Sequence, residues 1–246
     1  MTRVAGEVLA LFLVVSLAAA APAHADPWQS ELILYGLLPS VEGRVGVGEI
    51  ESEVEVGLSD ILDKLQTGAM VTWVGTRGRW MVVADGVFAN LGTTTRSESG
   101  LVRADVDLDV RIFEGDVGYG LNDQFQLFVG ARFVDLGAEM ELRVGDQERR
   151  AEGGESWVDP VLGLRFTAAG GERWLFRAHV DAGGFGVGSN LRLNASASAL
   201  YRLTPRVRLG AGYRMVNVDY EQGSGRDRFL FDARIQGPMI GATYTF

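Results

Sequence analysis

The sequence predicts an all-β chain, an antiparallel up-and-down transmembrane β-barrel of about ten strands, with eight or twelve strands as the alternatives. Three observations predict it. Apolar and polar residues alternate with period two along most of the chain. Short and longer connections take turns between those runs. The closing stretch GPMIGATYTF keeps Ile240, Ala242, Tyr244 and Phe246 apolar at every second position. Terminal residues of water-soluble domains are usually polar and loosely held, so a half-apolar strand there points to lipid as its solvent.

The period-two runs cover 28–40, 68–76, 79–92, 101–120, 124–144, 155–168, 173–187, 189–204, 206–221 and 228–246. Tight turns at TRGR, LNDQ, AAGGE and TPR alternate with mostly longer polar loops at 41–67, TTTRSESG, GDQERRAEGGE and QGSGRD. The exception is GVGSN, a tight turn on the long-loop side. An even number of strands with short turns at one end puts both termini at that end, the periplasmic one in a membrane barrel.

Faces follow strand by strand. In 191–202, Leu191, Leu193, Ala195, Ala197, Ala199 and Tyr201 share one face, against Arg192, Asn194, Ser196, Ser198 and Arg202. In 174–181, Trp174, Phe176, Ala178 and Val180 oppose Arg177, His179 and Asp181. In 102–112, Val102, Ala104, Val106, Leu108, Val110 and Ile112 oppose Arg103, Asp105, Asp107, Asp109 and Arg111. The membrane rule places the apolar set in lipid and the polar set in the bore. In the last strand Phe229, Phe231, Ala233 and Ile235 read as lipid-facing, with Gly237–Pro238 shifting the phase so that Ile240 to Phe246 continue that face. Backbone groups in lipid must be satisfied internally, so the sheet must close.

On the terminal Tyr244 and Phe246, the alternation and the N-terminal segment described next, the chain resembles the bacterial outer-membrane β-barrel family, small barrels of the OmpA, OmpX and OmpW kind. The resemblance implies a Gram-negative outer-membrane location, outer-membrane lipid as surroundings, and recognition of Tyr244 and Phe246 by the assembly machinery.

Residues 1–25 have the layout of a secretory signal peptide: Arg3 in a short head, an apolar run from Val8 to Ala20, and the small-residue site APAHA. The mature chain, 26–246, reads as a single barrel domain. It contains no apolar run long enough for a membrane helix. Zero cysteines exclude disulfides, thiolate metal sites and a cysteine nucleophile. A net charge of -9 makes nucleic acid a poor partner. Segment 41–67 departs from the barrel pattern: Glu49, Glu51, Glu53 and Glu55 alternate with Ile50, Ser52, Val54 and Val56, and SDILDKL reads as a short helix. It is expected as an acidic external loop, with a plug or lid as the alternative; as a strand, 44–56 would raise the count to eleven.

Three constellations invite chemistry. Asp105, Asp107 and Asp109 mimic the start of a calcium loop, but strand periodicity accounts for their spacing and the required glycine is missing, so no metal is assigned. Gly184, Gly186 and Gly188 lead into a strand rather than a helix, which speaks against a phosphate loop, and no cofactor is assigned. His179 and Asp181 share a face and form the one pair suited to a hydrolase. The expected interior charge network comprises Asp85, Arg111, Glu114, Asp116, Arg132, Asp135, Asp159, Arg165, Arg177, His179, Asp181, Arg192, Arg208, Arg214, Asp219, Asp232 and Arg234. A ten-stranded bore is narrow, so these charges are expected to meet one another. The leading reading is an integral outer-membrane barrel that is structural or a narrow, non-specific polar pore. The alternatives are a hydrolase using His179 and Asp181, or an adhesion or binding barrel acting through its loops.

Overall fold

The computed structural model describes residues 27–47, 50–96, 102–144, 147–225 and 228–246. The expected signal segment and Glu49 lie outside the described residues, and of Arg103 and Asp105 only the backbone, within the strand, is described. In chain order the elements are β1 (Gln29–Leu37), β2 (Ser40–Val47), β3 (Ile50–Val56), α1 (Leu58–Lys64), β4 (Leu65–Arg77), β5 (Trp80–Arg96), β6 (Val102–Gly120), β7 (Phe125–Val144), β8 (Gln147–Gly170), β9 (Trp174–Gly183), β10 (Leu191–Arg202), β11 (Val207–Gln222) and β12 (Phe229–Thr245). β1 and β4 to β12 are ten staves, each antiparallel to the next, and β12 returns to β1 to close the barrel. The short turns, the start of β1 and Phe246 lie at one rim.

Segment 41–67, read from sequence as a loop with a short helix, holds a β-hairpin followed by α1. β2 continues the course of β1 along the other half of β12, from Gln236↔Ser40 to Phe229↔Val47. β3 pairs with β2 alone, and α1 packs against β5 beside the seam that β3 leaves open. The first strand breaks at Leu38 and Pro39, where the Leu38 amide donates to the Pro238 carbonyl at 2.9 Å. Amide and carbonyl of one strand residue point the same way, so the donor that Pro238 lacks is missing on the side of that break. Gly237 is required there, because a Cβ would stand 2.0 Å from the Leu38 carbonyl oxygen.

This corrects the reading of Gly237–Pro238 as a phase shift. The register of β12 on β11 runs unbroken through Met215↔Gln236, Arg214↔Gly237 and Tyr213↔Pro238. The surroundings invert instead of the strand. Near the short-turn end, Leu34, Val117, Val129, Leu162, Val180, Leu209 and Ile240 stand exposed on the outer face. Trp80 packs edge-on against Tyr119 at 5.2 Å, Trp174 against Tyr201 at 5.0 Å, and Tyr244 stacks on Phe246 at 6.0 Å. An apolar surface this extensive requires lipid. The band runs from Trp80 to Phe88 on β5 and from Tyr201 to Leu191 on β10, about ten residues, the length of a tilted membrane-crossing strand. A closed antiparallel barrel with such a belt is the architecture of outer-membrane proteins, and the belt sets these staves in that membrane.

Beyond the belt the staves continue into water with the faces exchanged. Outside are Asp109, Arg111, Asp135, Asn217, Asp219, Asp232 and Arg234; inside, Val134, Trp157, Val216, Val218 and Tyr220 are buried, with Ile112, Leu136, Phe229, Phe231 and Ile235 packed on them. The expectation that Leu108, Val110 and Ile112, and Phe229, Phe231, Ala233 and Ile235, face lipid is therefore corrected: these residues face the interior of a wall that projects past the bilayer. In this half the chain obeys the soluble rule, apolar in and polar out. A direct check follows. Val129→Arg, in the middle of the belt, should destabilise the folded barrel in lipid vesicles by about 2–4 kcal/mol, whereas Asn217→Arg on the projecting wall should change little. Equal effects in urea unfolding would place both positions in the same solvent.

Candidate functional site

At membrane depth the inward residues become polar, and their hydrogen bonds run across the bore. Asp181 on β9 is the hub, with its side chain fully buried. It accepts from Arg192 at 2.9 Å, from Asn194, and from His179 Nε2 at 2.8 Å, and it stands 3.7 Å from the Arg132 guanidinium. Arg132 also pairs with Glu114 on β6. From Asn194 the path continues to Arg214 at 2.9 Å, to the Tyr35 hydroxyl at 3.5 Å and on to Asp85 at 3.2 Å, which Thr72 also donates to. Eight of the ten staves contribute: β1, β4, β5, β6, β7, β9, β10 and β11. A desolvated carboxylate or guanidinium needs this many partners to be tolerated.

Two smaller groups flank this layer. Towards the short-turn rim, Glu31 takes Arg177 at 2.6 Å and Arg208 at 3.6 Å, and Arg208 donates to Thr245 at 3.4 Å. Towards the projecting half, buried Asp159 accepts from the Ser189 amide at 2.7 Å, its hydroxyl at 2.9 Å and the Trp157 indole at 3.2 Å. That carboxylate pins the β9–β10 turn against β8 instead of meeting a cation. His179 stacks on Phe128 with ring centroids 4.9 Å apart.

Of the seventeen residues expected inside, five stand on the outer wall of the projecting half. Arg111 faces Asp135 at 3.7 Å, Asp232 accepts from Arg44 at 2.7 Å, Arg234 donates to Asn217 at 3.0 Å, and Asp219 accepts from Asn190 at 3.1 Å. They sit on strands whose faces exchange roles above the belt, where water and not lipid lies outside the wall. The remaining twelve turn inward: Asp85, Glu114, Asp116, Arg132, Asp159, Arg165, Arg177, His179, Asp181, Arg192, Arg208 and Arg214. Glu31, Tyr35 and Thr72 join them without having been singled out. Period two in ELILY already puts Glu31, Ile33 and Tyr35 on one face, which was the available signal. Asp107 and Asp109 accept from Gln66 at 3.2 Å and Asn90 at 2.9 Å, and among the described residues no acidic or histidine group is arranged to hold a metal.

Below the Asp181 layer lies a cavity of about 200 Å³. It exists because β10, β11 and β12 turn Ser196, Ser198, Gly210, Gly212 and Gly241 towards it where long side chains would fill the bore. The opposite wall carries the second apolar cluster, Val74, Met81, Val83, Phe128 and Val161.

No family model matches the chain, and no curated protein matches it. Among solved structures it is similar to the outer-membrane protease OmpT of Escherichia coli, 12% identical over 93% of this chain and 99% of that one, with a TM-score of 0.49. It is also similar to Ail, the attachment invasion locus protein of Yersinia pestis, at 12% identity over 89% and 98% with a TM-score of 0.42. The toluene transporter TodX of Pseudomonas putida gives 12% identity over 92% and 90% and a TM-score of 0.33.

Proposed function

We propose that the chain works as a sealed outer-membrane barrel, a structural element that holds a polar wall above the bilayer, and not as an open pore. The observation that carries this reading is the apolar core inside the projecting half. Val134, Trp157, Val216, Val218 and Tyr220 converge on the axis, and Trp157 and Tyr220 stack at 4.0 Å. An ion on its way through would have to cross this dry region and then the layer at Asp181. For the hydrolase reading His179 and Asp181 do stand together, yet among the described residues no hydroxyl hydrogen-bonds to His179, and Asp181 is shared with Arg192 and Asn194. Tyr244 and Phe246, both turned outward, are the residues through which the assembly machinery would take up the last strand. In a planar bilayer the purified protein should show no steady conductance at moderate voltage. A steady ohmic current from single insertions would overturn the sealed reading and favour the narrow pore.

A further inference from the structure

The short-turn rim carries arginines that no carboxylate answers. Arg79 stands in the β4–β5 turn, Arg173 in the β8–β9 turn, Arg202 at the end of β10 and Arg206 in the turn that follows, all of them exposed. Among the described residues no carboxylate lies within ion-pair distance of any of the four. On the projecting wall the same residue type is paired: Arg44 meets Asp232, Arg111 meets Asp135, and Arg228 meets Glu51 and Glu221. Acid is plentiful in a chain of net charge -9, so its absence around the rim arginines is particular to that depth.

Position says what lies at that depth. Arg79 adjoins Trp80, Arg173 adjoins Trp174 and Arg202 adjoins Tyr201, and these aromatics form the rim edge of the lipid belt. Tryptophan and tyrosine settle at headgroup level, so a residue one step further out meets the lipid phosphates. Arg173 and Arg202 come together there, the Arg202 amide donating to the Arg173 carbonyl at 2.8 Å across neighbouring staves. The Arg173 guanidinium is set by a hydrogen bond to the Tyr201 hydroxyl at 2.8 Å, and that of Arg202 by one to the Glu172 carbonyl. Each fork has five donors, so most of them are left for a ligand. Both arginines line an open cleft with Tyr201, Leu203, Thr204 and Pro205.

We propose that this cleft binds an anionic phospholipid of the periplasmic leaflet, its phosphate on Arg173 and Arg202 and its acyl chains along the exposed Trp174, Phe176 and Leu203. The short turns of outer-membrane barrels face the periplasm, so that leaflet is the one in reach. A guanidinium takes a phosphate in two-point contact. Net charge selects among headgroups. The two turns at 170–174 and 202–206 hold three arginines against one carboxylate, Glu172, and a zwitterionic lipid would bring its own cation to this basic patch. The belt gives continuity, because the molecule that solvates Trp174 and Phe176 sets its headgroup level with the cleft. The site lies on the rim, so it holds whether or not the bore conducts.

The test uses the full chain refolded in detergent micelles, with folding checked by its mobility on an unheated gel. Phosphatidylglycerol and phosphatidylcholine are added in equal amounts at low ionic strength, and native mass spectrometry counts the lipids each barrel retains. An arginine near an anionic headgroup contributes about a fivefold preference, so barrels holding one phosphatidylglycerol should outnumber those holding one phosphatidylcholine by about tenfold or more. Arg173→Gln combined with Arg202→Gln should bring the two lipids to about parity, and lysine at both positions, which keeps the charge, should keep much of the preference. Arg44→Gln combined with Arg228→Gln, on the projecting wall, should leave it unchanged. The proposal is overturned if the unchanged protein retains both lipids equally, or if the Arg173 and Arg202 double glutamine variant keeps the preference. It is also overturned if glycerophosphoglycerol or poly-L-glutamate, neither with acyl chains, displaces the lipid at about tenfold excess. The first would make the cleft a site for a free phosphate ester, the second a site for an acidic polypeptide.

Discussion

Asp181→Ala should destabilise the barrel by about 3–5 kcal/mol, the cost of leaving buried cations without their carboxylate. Its side chain is fully buried and serves Arg192, Asn194 and His179 directly, with Arg132 3.7 Å away. Arg132 would keep Glu114, but Arg192, with 7% of its side chain exposed, would keep no carboxylate. The double variant Asp181→Ala with Arg192→Leu should therefore recover much of the loss, because the stranded cation goes as well. Arg111→Ala makes the contrast: its partner Asp135 is 3.7 Å away and the two side chains are 56% and 39% exposed, so the expected change is under about 1 kcal/mol. Urea unfolding in lipid vesicles measures all three. Equal, small losses for Asp181→Ala and Arg111→Ala would mean that the interior network contributes no more than a solvated surface pair.

The strand positions were legible because closure in lipid forces period two on every stave, and glycine-rich or polar turns interrupt it. Which face looks inward was not legible above the belt. Alternation is symmetric under exchange of faces, so Phe229, Phe231, Ala233 and Ile235 read identically whether lipid lies outside or a core lies inside. The partner set does not separate the two cases either: Asp232 and Arg234 stand opposite them in water, and Arg177, Asp181 and Arg192 are as charged inside the belt. The β2–β3 hairpin was obscured for another reason. Glu51, Glu53 and Glu55 alternate with apolar Val54 and Val56 as a strand should, but so much acid on one strip belongs to a wall in water, which a membrane-spanning template does not include. The cavity was present in the sequence as NASASAL and GAG, yet the residues that line it, from Ile33 to Thr243, are far apart along the chain, and only the fold brings them to one space.

Trp157→Ala combined with Tyr220→Ala should cost more stability than any other pair of apolar changes in the projecting half. Tyr220 is 0% exposed and Trp157 7%, and each ring fills the axis of the wall. Truncating one such aromatic costs about 3–5 kcal/mol, and because the rings stack at 4.0 Å the pair should lose less than twice that. Removing them opens the upper bore to water without opening a path through the protein. The layer built on Glu114, Arg132, Asp181 and Arg192 still crosses the bore below, and both arginines are nearly fully buried, at 2% and 6% exposed. Two barriers in series give a specific pattern in planar bilayers. The aromatic double variant should bring a water-soluble quencher to probes in the upper bore yet carry no steady current. Current should appear only when Arg132 and Asp181 are also replaced by alanine, which shortens both charges of the lower layer together. If the aromatic variant alone conducts steadily, the charged layer is no barrier, and the bore has a single closure in the half that stands above the membrane.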